Sequence, residues 1–304
     1  MTSPPSSPQT PLRVAMALGS GGARGYAHIG AIEEVRARGH EIVAISGASM
    51  GALVGGLGAA DRLEPYTEWA RSLTQRDVLR LLDPKWSAPG AIRANRIFEQ
   101  VELILGDRQI EDLPVAFTAV ATDLHNRREV WFQRGPTTAA IRASIAIPGV
   151  ITPVEMNGRL LADGGLMNPV PIDPTAAAAA DLTVAISLQG TRALQEPATP
   201  AREAASPKWH EELRGRVRRS VGRTTTAEPD PASMLDDVRI SDVIGMSMDA
   251  MQGLISRYRM AGLPPDVLVT VPVSAARSLE FHRAADMIDL GRQLTAEALD
   301  ASGH

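Results

Sequence analysis

A serine bracketed by glycines, Gly47-Ala48-Ser49-Met50-Gly51, directly follows the apolar run Ile42-Val43-Ala44-Ile45. This G-x-S-x-G order is that of a nucleophile elbow, where a strand turns sharply into a helix. The hydroxyl is left at the turn, near the positive end of the helix. The serine backbone is strained there, so the positions two before and two after it, Gly47 and Gly51, must lack side chains that would clash. A serine so placed can attack an acyl carbonyl and pass through a covalent acyl-enzyme. It then needs a base for its proton and donors for the oxyanion.

Two other glycine-containing sites could supply those parts. Gly19-Ser20-Gly21-Gly22-Ala23-Arg24-Gly25 ends the apolar run Leu12 to Leu18. A dinucleotide turn would need G-x-G-x-x-G, with its third glycine where Arg24 stands, and no P-loop Gly-Lys-Ser/Thr follows. The Gly21-Gly22 backbone can instead present amide N–H groups as an oxyanion hole, each donor worth about 10²–10³ in rate. Asp163-Gly164-Gly165 follows the strand-like Arg159–Leu161 and reads either as a turn or as a site for a general base. Of the six histidines, His28 falls in a helix, His40 in a turn, His125 in a polar loop and His210 in a polar segment, while His304 is the last residue. His282 alone follows Ser49 and Asp163 in the order of a Ser-Asp-His triad.

The elements that must position these residues follow from hydrophobic periodicity. Short apolar runs at 12–18, 42–46, 115–121, 129–132, 182–188 and 267–271 predict strands. Helical spacing covers about 23–38, 50–60, 63–82, 95–105, 137–144 and 283–300, and Asn157-Gly158 predicts a hairpin between 154–156 and 159–161. Alternating strands and helices predict an α/β layered sheet. Its 304 residues suffice for one large domain, read here as 12–300 after a Pro/Ser-rich disordered tail at 1–11.

Composition removes several function classes. The net charge of −4 argues against a general nucleic-acid binder. The absence of cysteine removes disulfides, thiolate metal ligands and thiol catalysis, and it fits a reducing, cytoplasmic setting. No clustered metal-ligand pattern is present, and no cofactor is expected. No apolar run reaches the ~18–20 residues that span a bilayer, so contact with membrane is expected to be peripheral at most. One segment, 191–233, lacks hydrophobic period and reads as a disordered basic insertion. Within 201–223 it carries seven basic residues, Arg202, Lys208, Arg214, Arg216, Arg218, Arg219 and Arg223, against three acidic ones. With Trp209, Leu213, Val217 and Val221 at helix-like spacing, it reads either as a solvated loop or as a contact for anionic lipid.

The three glycine sites in this order and at these separations resemble the patatin-like phospholipases. The likeness is to their compact bacterial branch and to neuropathy-target-esterase-type catalytic domains. Ala143-Ser144-Ile145-Ala146-Ile147-Pro148-Gly149 and Asn168-Pro169-Val170-Pro171 extend the resemblance, which runs from about Arg13 to Leu188 and over roughly 235–295. It implies a three-layer α/β/α patatin-like fold with a central, mostly parallel sheet, and a lipid acyl hydrolase. It also implies a Ser49–Asp163 dyad without histidine, with Gly21 and Gly22 as oxyanion donors, and Arg24, Gly47, Gly51, Gly164 and Gly165 in support. Arg24 fills the basic position of the family's G-G-G-x-[K/R]-G turn, either as a guanidinium pairing that holds the turn or as a contact for a lipid phosphate, and Ser20 departs from that turn at its first glycine. Two other readings stay open. One is an α/β-hydrolase triad completed by His282, although the 48 residues before Ser49 leave room for only about two strands. The other is a non-catalytic regulator on the same fold.

Overall fold

The computed structural model describes residues 10–81, 95–190 and 240–304. The chain divides into two units, Met1–Arg192 with Ser247–His304, and Ala193–Met246. Of the second, only 240–246 are described, so the basic segment 201–223 lies outside the described residues, as does most of the N-terminal tail.

The first unit is built on a sheet of eight strands: β1 (Arg13–Leu18), β2 (Glu41–Ala48), β3 (Ala116–Asp123), β4 (Arg128–Phe132), β5 (Val154–Met156), β6 (Arg159–Asp163), β7 (Leu182–Gly190) and β8 (Val267–Pro272). Their order is β5-β6-β3-β2-β1-β7-β8, with β4 also paired to β3. The four pairs β1–β2, β1–β7, β2–β3 and β7–β8 are parallel, whereas β4, β5 and β6 pair antiparallel. The helices are α1 (Ala27–Ala37), α2 (Met50–Ala59), α3 (Leu63–Ser72), α4 (Gln75–Leu81), α5 (Asn95–Leu105), α6 (Thr137–Ser144), α7 (Ile240–Gly262) and α8 (Ala284–Ser302).

Side-chain alternation explains the layers. Val14, Met16 and Leu18 of β1 and Leu182, Val184, Ile186 and Leu188 of β7 join one core with α1, α2, α3, α5, α6 and α8. The intervening Ala17 and Ala185 face the other way, against Val170, Ile172 and Met260 of α7. A strand buried on both faces loses the polar/apolar alternation of a half-exposed strand and reads as a continuous apolar run. The architecture is therefore a three-layer α/β/α fold with a mostly parallel sheet.

Three elements differ from the sequence reading. The helix expected over 23–38 starts as a 3₁₀ turn, Gly22–Tyr26, before α1. The helix expected over 63–82 breaks into α3 and α4, because Leu73 is extended and Thr74 opens a new helix. The Thr74 hydroxyl accepts from Asp77 N–H (3.3 Å) and Asp77 Oδ2 accepts from Thr74 N–H (3.0 Å), a reciprocal cap. The 23-residue α7 was not expected at all. Gly245 and Gly253 dilute its apolar stripe, and Val243, Met246, Met251 and Leu254 are exposed, so its hydrophobic pattern does not mark a buried face.

Candidate active site

β3 brings the serine and the aspartate together. Its residues Ala119 and Val120 pair with Gly47 and Ala48 of β2 and, across the strand, with Phe132 and Trp131 of β4. One residue further, Ala121 pairs with Val130 of β4 and with Asp163 of β6. β2 and β6 therefore occupy the same edge of β3, end to end. Ala48 lies opposite Val120 and Asp163 opposite Ala121, so Ser49 leaves β2 where the aspartate side chain begins.

Ser49 holds φ 57° and ψ −125° at the start of α2. A non-glycine residue there costs about 1–3 kcal/mol and persists only where its surroundings fix it. Its N–H donates to Ser144 Oγ at 3.0 Å, and that hydroxyl donates to Val120 O at 2.6 Å. The carbonyl of Ser49 accepts from Ala52 and Leu53 N–H, the first bonds of α2. A methyl on Gly51 would run into the Leu18 carbonyl, and one on Gly47 into the backbone of Gly51. The close approach of β1, β2 and α2 thus admits no side chain at either position. Ser144 belongs to a segment legible as family-like, yet its hold on the elbow depends on β3 and α6 and was missed.

Asp163 closes β6 and is 3% exposed. Its Oδ1 accepts from Gly165 N–H at 2.7 Å, and its backbone is fixed by Ala146 O and Thr122 Oγ1. Its Oδ2 is buried without a hydrogen-bond partner. Burial pushes the carboxyl from 3.8 up to about 6, opposed by the nearby Ser49 hydroxyl and by Gly165 N–H. No hydrogen bond joins the two side chains, although the Ser49 hydroxyl lowers the carboxyl pKa. Gly164 packs against Val120 O, where a Cβ would collide.

The glycine turn sits beside them, since Leu18 at the end of β1 is in register with Gly47. Gly19 N–H donates to Ile186 O (3.0 Å), Ser20 N–H to Pro169 O (2.8 Å) and Ala23 N–H to Ser278 O (2.9 Å). Between them, the N–H groups of Gly21 and Gly22 find no acceptor among the described residues. Gly22 has φ +57° and lines the same cavity as Ser49. Arg24 is 2% exposed and pairs with Asp249 Oδ1 at 2.9 Å, with Nη1 donating to Val273 O and Ala276 O. Its guanidinium points into the protein and ties the turn down. His28 is buried behind the turn with Nε2 2.8 Å from Gly19 O, and burial pulls its pKa down to about 4. His282 makes no hydrogen bond to Ser49 or Asp163, though its neighbour Phe281 lines the cavity.

The cavity beside Ser49 opens to solvent. Beyond Ser49 it is walled by Leu53, Tyr66, Trp69, Ile97, Ile145 and Phe281 among others, and no lining side chain carries a charge. Half-exposed Leu279 stands at its rim. Such a space accepts a hydrocarbon chain and rejects a charged one. Among the described residues no cluster of three or more His, Cys, Asp or Glu could hold a metal.

The raised Asp163 pKa fixes two pH dependences. The folded state holds this proton more tightly than the unfolded chain, so the resulting stability is fully present below pH 3.8 and is lost as pH rises through about 6. A shift of this size corresponds to about 3 kcal/mol. Asp163→Asn keeps the acceptor for Gly165 and removes the buried charge. Urea melts should show it more stable than wild type at pH 7.5 by about 1–3 kcal/mol, with the gain gone by pH 4. An Asp163→Asn protein no more stable than wild type at pH 7.5 would mean that the carboxylate is not desolvated. If Asp163 is the base, kcat/KM should rise with an apparent pKa near 6 and level off above it.

The family model for patatin-like phospholipases matches residues 16–176, which span all three glycine sites. A Mycobacterium tuberculosis protein described as an uncharacterised NTE family protein is 46% identical over 335 residues, covering 95% of this chain and 92% of its own. Human patatin-like phospholipase domain-containing protein 6 is 31% identical over 183 residues, 58% of this chain but 13% of that much longer protein. The crystal structure of VipD from Legionella pneumophila superposes with a TM-score of 0.55 at 13% identity, over 96% of this chain and 67% of that one, a likeness of fold. This chain belongs to the patatin-like phospholipase family.

Proposed function

We propose that the protein is a serine lipid acyl hydrolase working through a Ser49–Asp163 dyad and an acyl-enzyme. The observation that carries this reading is the placement of Ser49 at an uncharged, apolar cavity beside a buried carboxylate poised near pH 6. The acyl chain of an ester enters the cavity, and each buried methylene contributes about 0.8 kcal/mol. Ser49 Oγ attacks the carbonyl carbon while its proton passes to Asp163. The carbonyl π pair moves onto oxygen, where the N–H groups of Gly21 and Gly22 receive it. Collapse of the tetrahedral intermediate breaks the ester bond and expels the alcohol, which takes the proton from Asp163. Water then repeats the sequence on the acyl-enzyme and releases the fatty acid.

An ordinary aspartate would be too weak a base for this work. Raising its pKa toward the working pH brings proton affinity and ionised fraction into balance. No positively charged group touches the free Oδ2, so nothing on the described protein competes with the serine proton. Family membership supports lipid esters as the substrate class, and the uncharged cavity supports an acyl chain.

Approach to the lipid is part of the same proposal. Among the described residues no helix is long and apolar enough to cross a membrane. The seven basic residues of 201–223 supply a sequence-level attraction to anionic lipid.

A panel of phospholipids, lysophospholipids and neutral acyl esters, with Ser49→Ala as control, tests the reading. Release of fatty acid that depends on Ser49 is expected, and turnover that survives Ser49→Ala overturns it. Asp163→Asn should fold and lose at least ~10²-fold in kcat. His282→Ala should retain wild-type turnover; a loss as deep as that of Ser49→Ala would favour a triad. Removing 195–230 should leave a small soluble ester turning over while binding to anionic vesicles falls, most at low salt. Unchanged vesicle binding would take the basic segment out of the proposal.

A further inference from the structure

Ser20, the residue that departs from the family's glycine pattern, makes a contact that glycine could not. Its hydroxyl donates to Gln252 Oε1 at 3.0 Å, and the same oxygen accepts from Gln189 Nε2 at 2.9 Å. Gln252 lies on α7 and is buried. Gly165, whose N–H holds Asp163 Oδ1, is pressed against this pair. A Cβ there would sit 2.8 Å from Gln252 Nε2 and collide with Ser20 Oγ. Three residues earlier on the same face of α7, Asp249 holds Arg24.

α7 therefore grips the glycine turn at Ser20 and at Arg24, on either side of Gly21 and Gly22. It also touches, at Gly165, the turn that orients Asp163. We propose that Gln252 is a positioning residue, which through Ser20 sets the placement of the oxyanion N–H groups relative to the Asp163 carboxylate. The inference rests on the dyad reading and deepens it. Oxyanion donors must lie within ~2.7–3.1 Å of the developing charge, so small rotations of the Ser20–Gly21 and Gly21–Gly22 peptides matter. A misplacement of about 1 Å can cost 10²-fold in rate without changing any reacting group. Gln252 does this work at a distance from the cavity, which it does not line. Substrate binding should therefore be untouched when it is lost.

The test uses the full chain and a soluble acyl ester, with kcat expressed per Ser49 site titrated to completion by a fluorophosphonate. That normalisation separates a misaligned site from a smaller folded fraction. Gln252→Leu should lower per-site kcat by about tenfold or more with KM within about twofold, and slow the labelling rate in parallel. Ser20→Ala should act in the same direction. The double variant should be no worse than Gln252→Leu alone, because both remove one contact. Should Gln252→Leu fail to fold, Ser20→Ala and Ser20→Gly carry the same comparison. Per-site kcat within twofold of wild type, a change confined to KM, or losses that multiply in the double variant would each overturn the inference. Absence of Ser49-dependent turnover in the wild type would instead overturn the dyad reading beneath it.

Discussion

The site depends on one strand edge used twice. β2 runs up β3 as far as Val120, and β6 comes down to meet it at Ala121. Without this end-to-end abutment, Ser49 and Asp163 would belong to strands that never face each other. Because side chains alternate along a strand, a one-residue slip of β6 would turn Asp163 to the other face of the sheet. β3 is held on its opposite side by β4, whose five pairs with it span both halves of the junction. Val120 at the junction also anchors the elbow, since its carbonyl accepts from Ser144, which in turn accepts from Ser49 N–H.

The same junction explains why the site is chemically poised. A strained serine backbone and a buried carboxylate both oppose folding, and each is held by fixed hydrogen-bonding groups in place of solvent. Ser144 and the first bonds of α2 hold the serine, while Gly165 N–H, Ala146 O and Thr122 hold the aspartate. Among the described residues only one carboxylate oxygen is satisfied. The other has no partner, and the proposed mechanism assigns it the Ser49 proton. Two carboxylate hydrogen bonds from the protein would have pulled the pKa back down and made a poorer base.

The local parts of this arrangement were legible in the sequence. Gly47 and Gly51 flank a serine after an apolar run because β1, β2 and α2 meet too closely for side chains there. The apolar runs of β1 and β7 marked buried strands correctly because both faces are covered. The remaining contacts are long-range. Nothing local says that Ser144 reaches Val120 and Ser49, or that Asp249 and Gln252 reach back more than 220 residues to Arg24 and Ser20. α7 itself was hidden because its exposed Met246, Met251 and Leu254 and its internal glycines blur the amphipathic period. The split of α3 from α4 was hidden because Thr74 and Asp77 cap a new helix inside a stretch that remains helical in composition.

The central claim is that Ser49 becomes covalently acylated within this junction. Mixing the protein with a slowly deacylated p-nitrophenyl ester, quenching in acid and mapping the peptides by mass spectrometry tests it directly. The account predicts a burst of p-nitrophenol matched by one acyl group per chain, carried on the peptide that contains Ser49. Turnover with no adduct, or an adduct on any other residue, would contradict it.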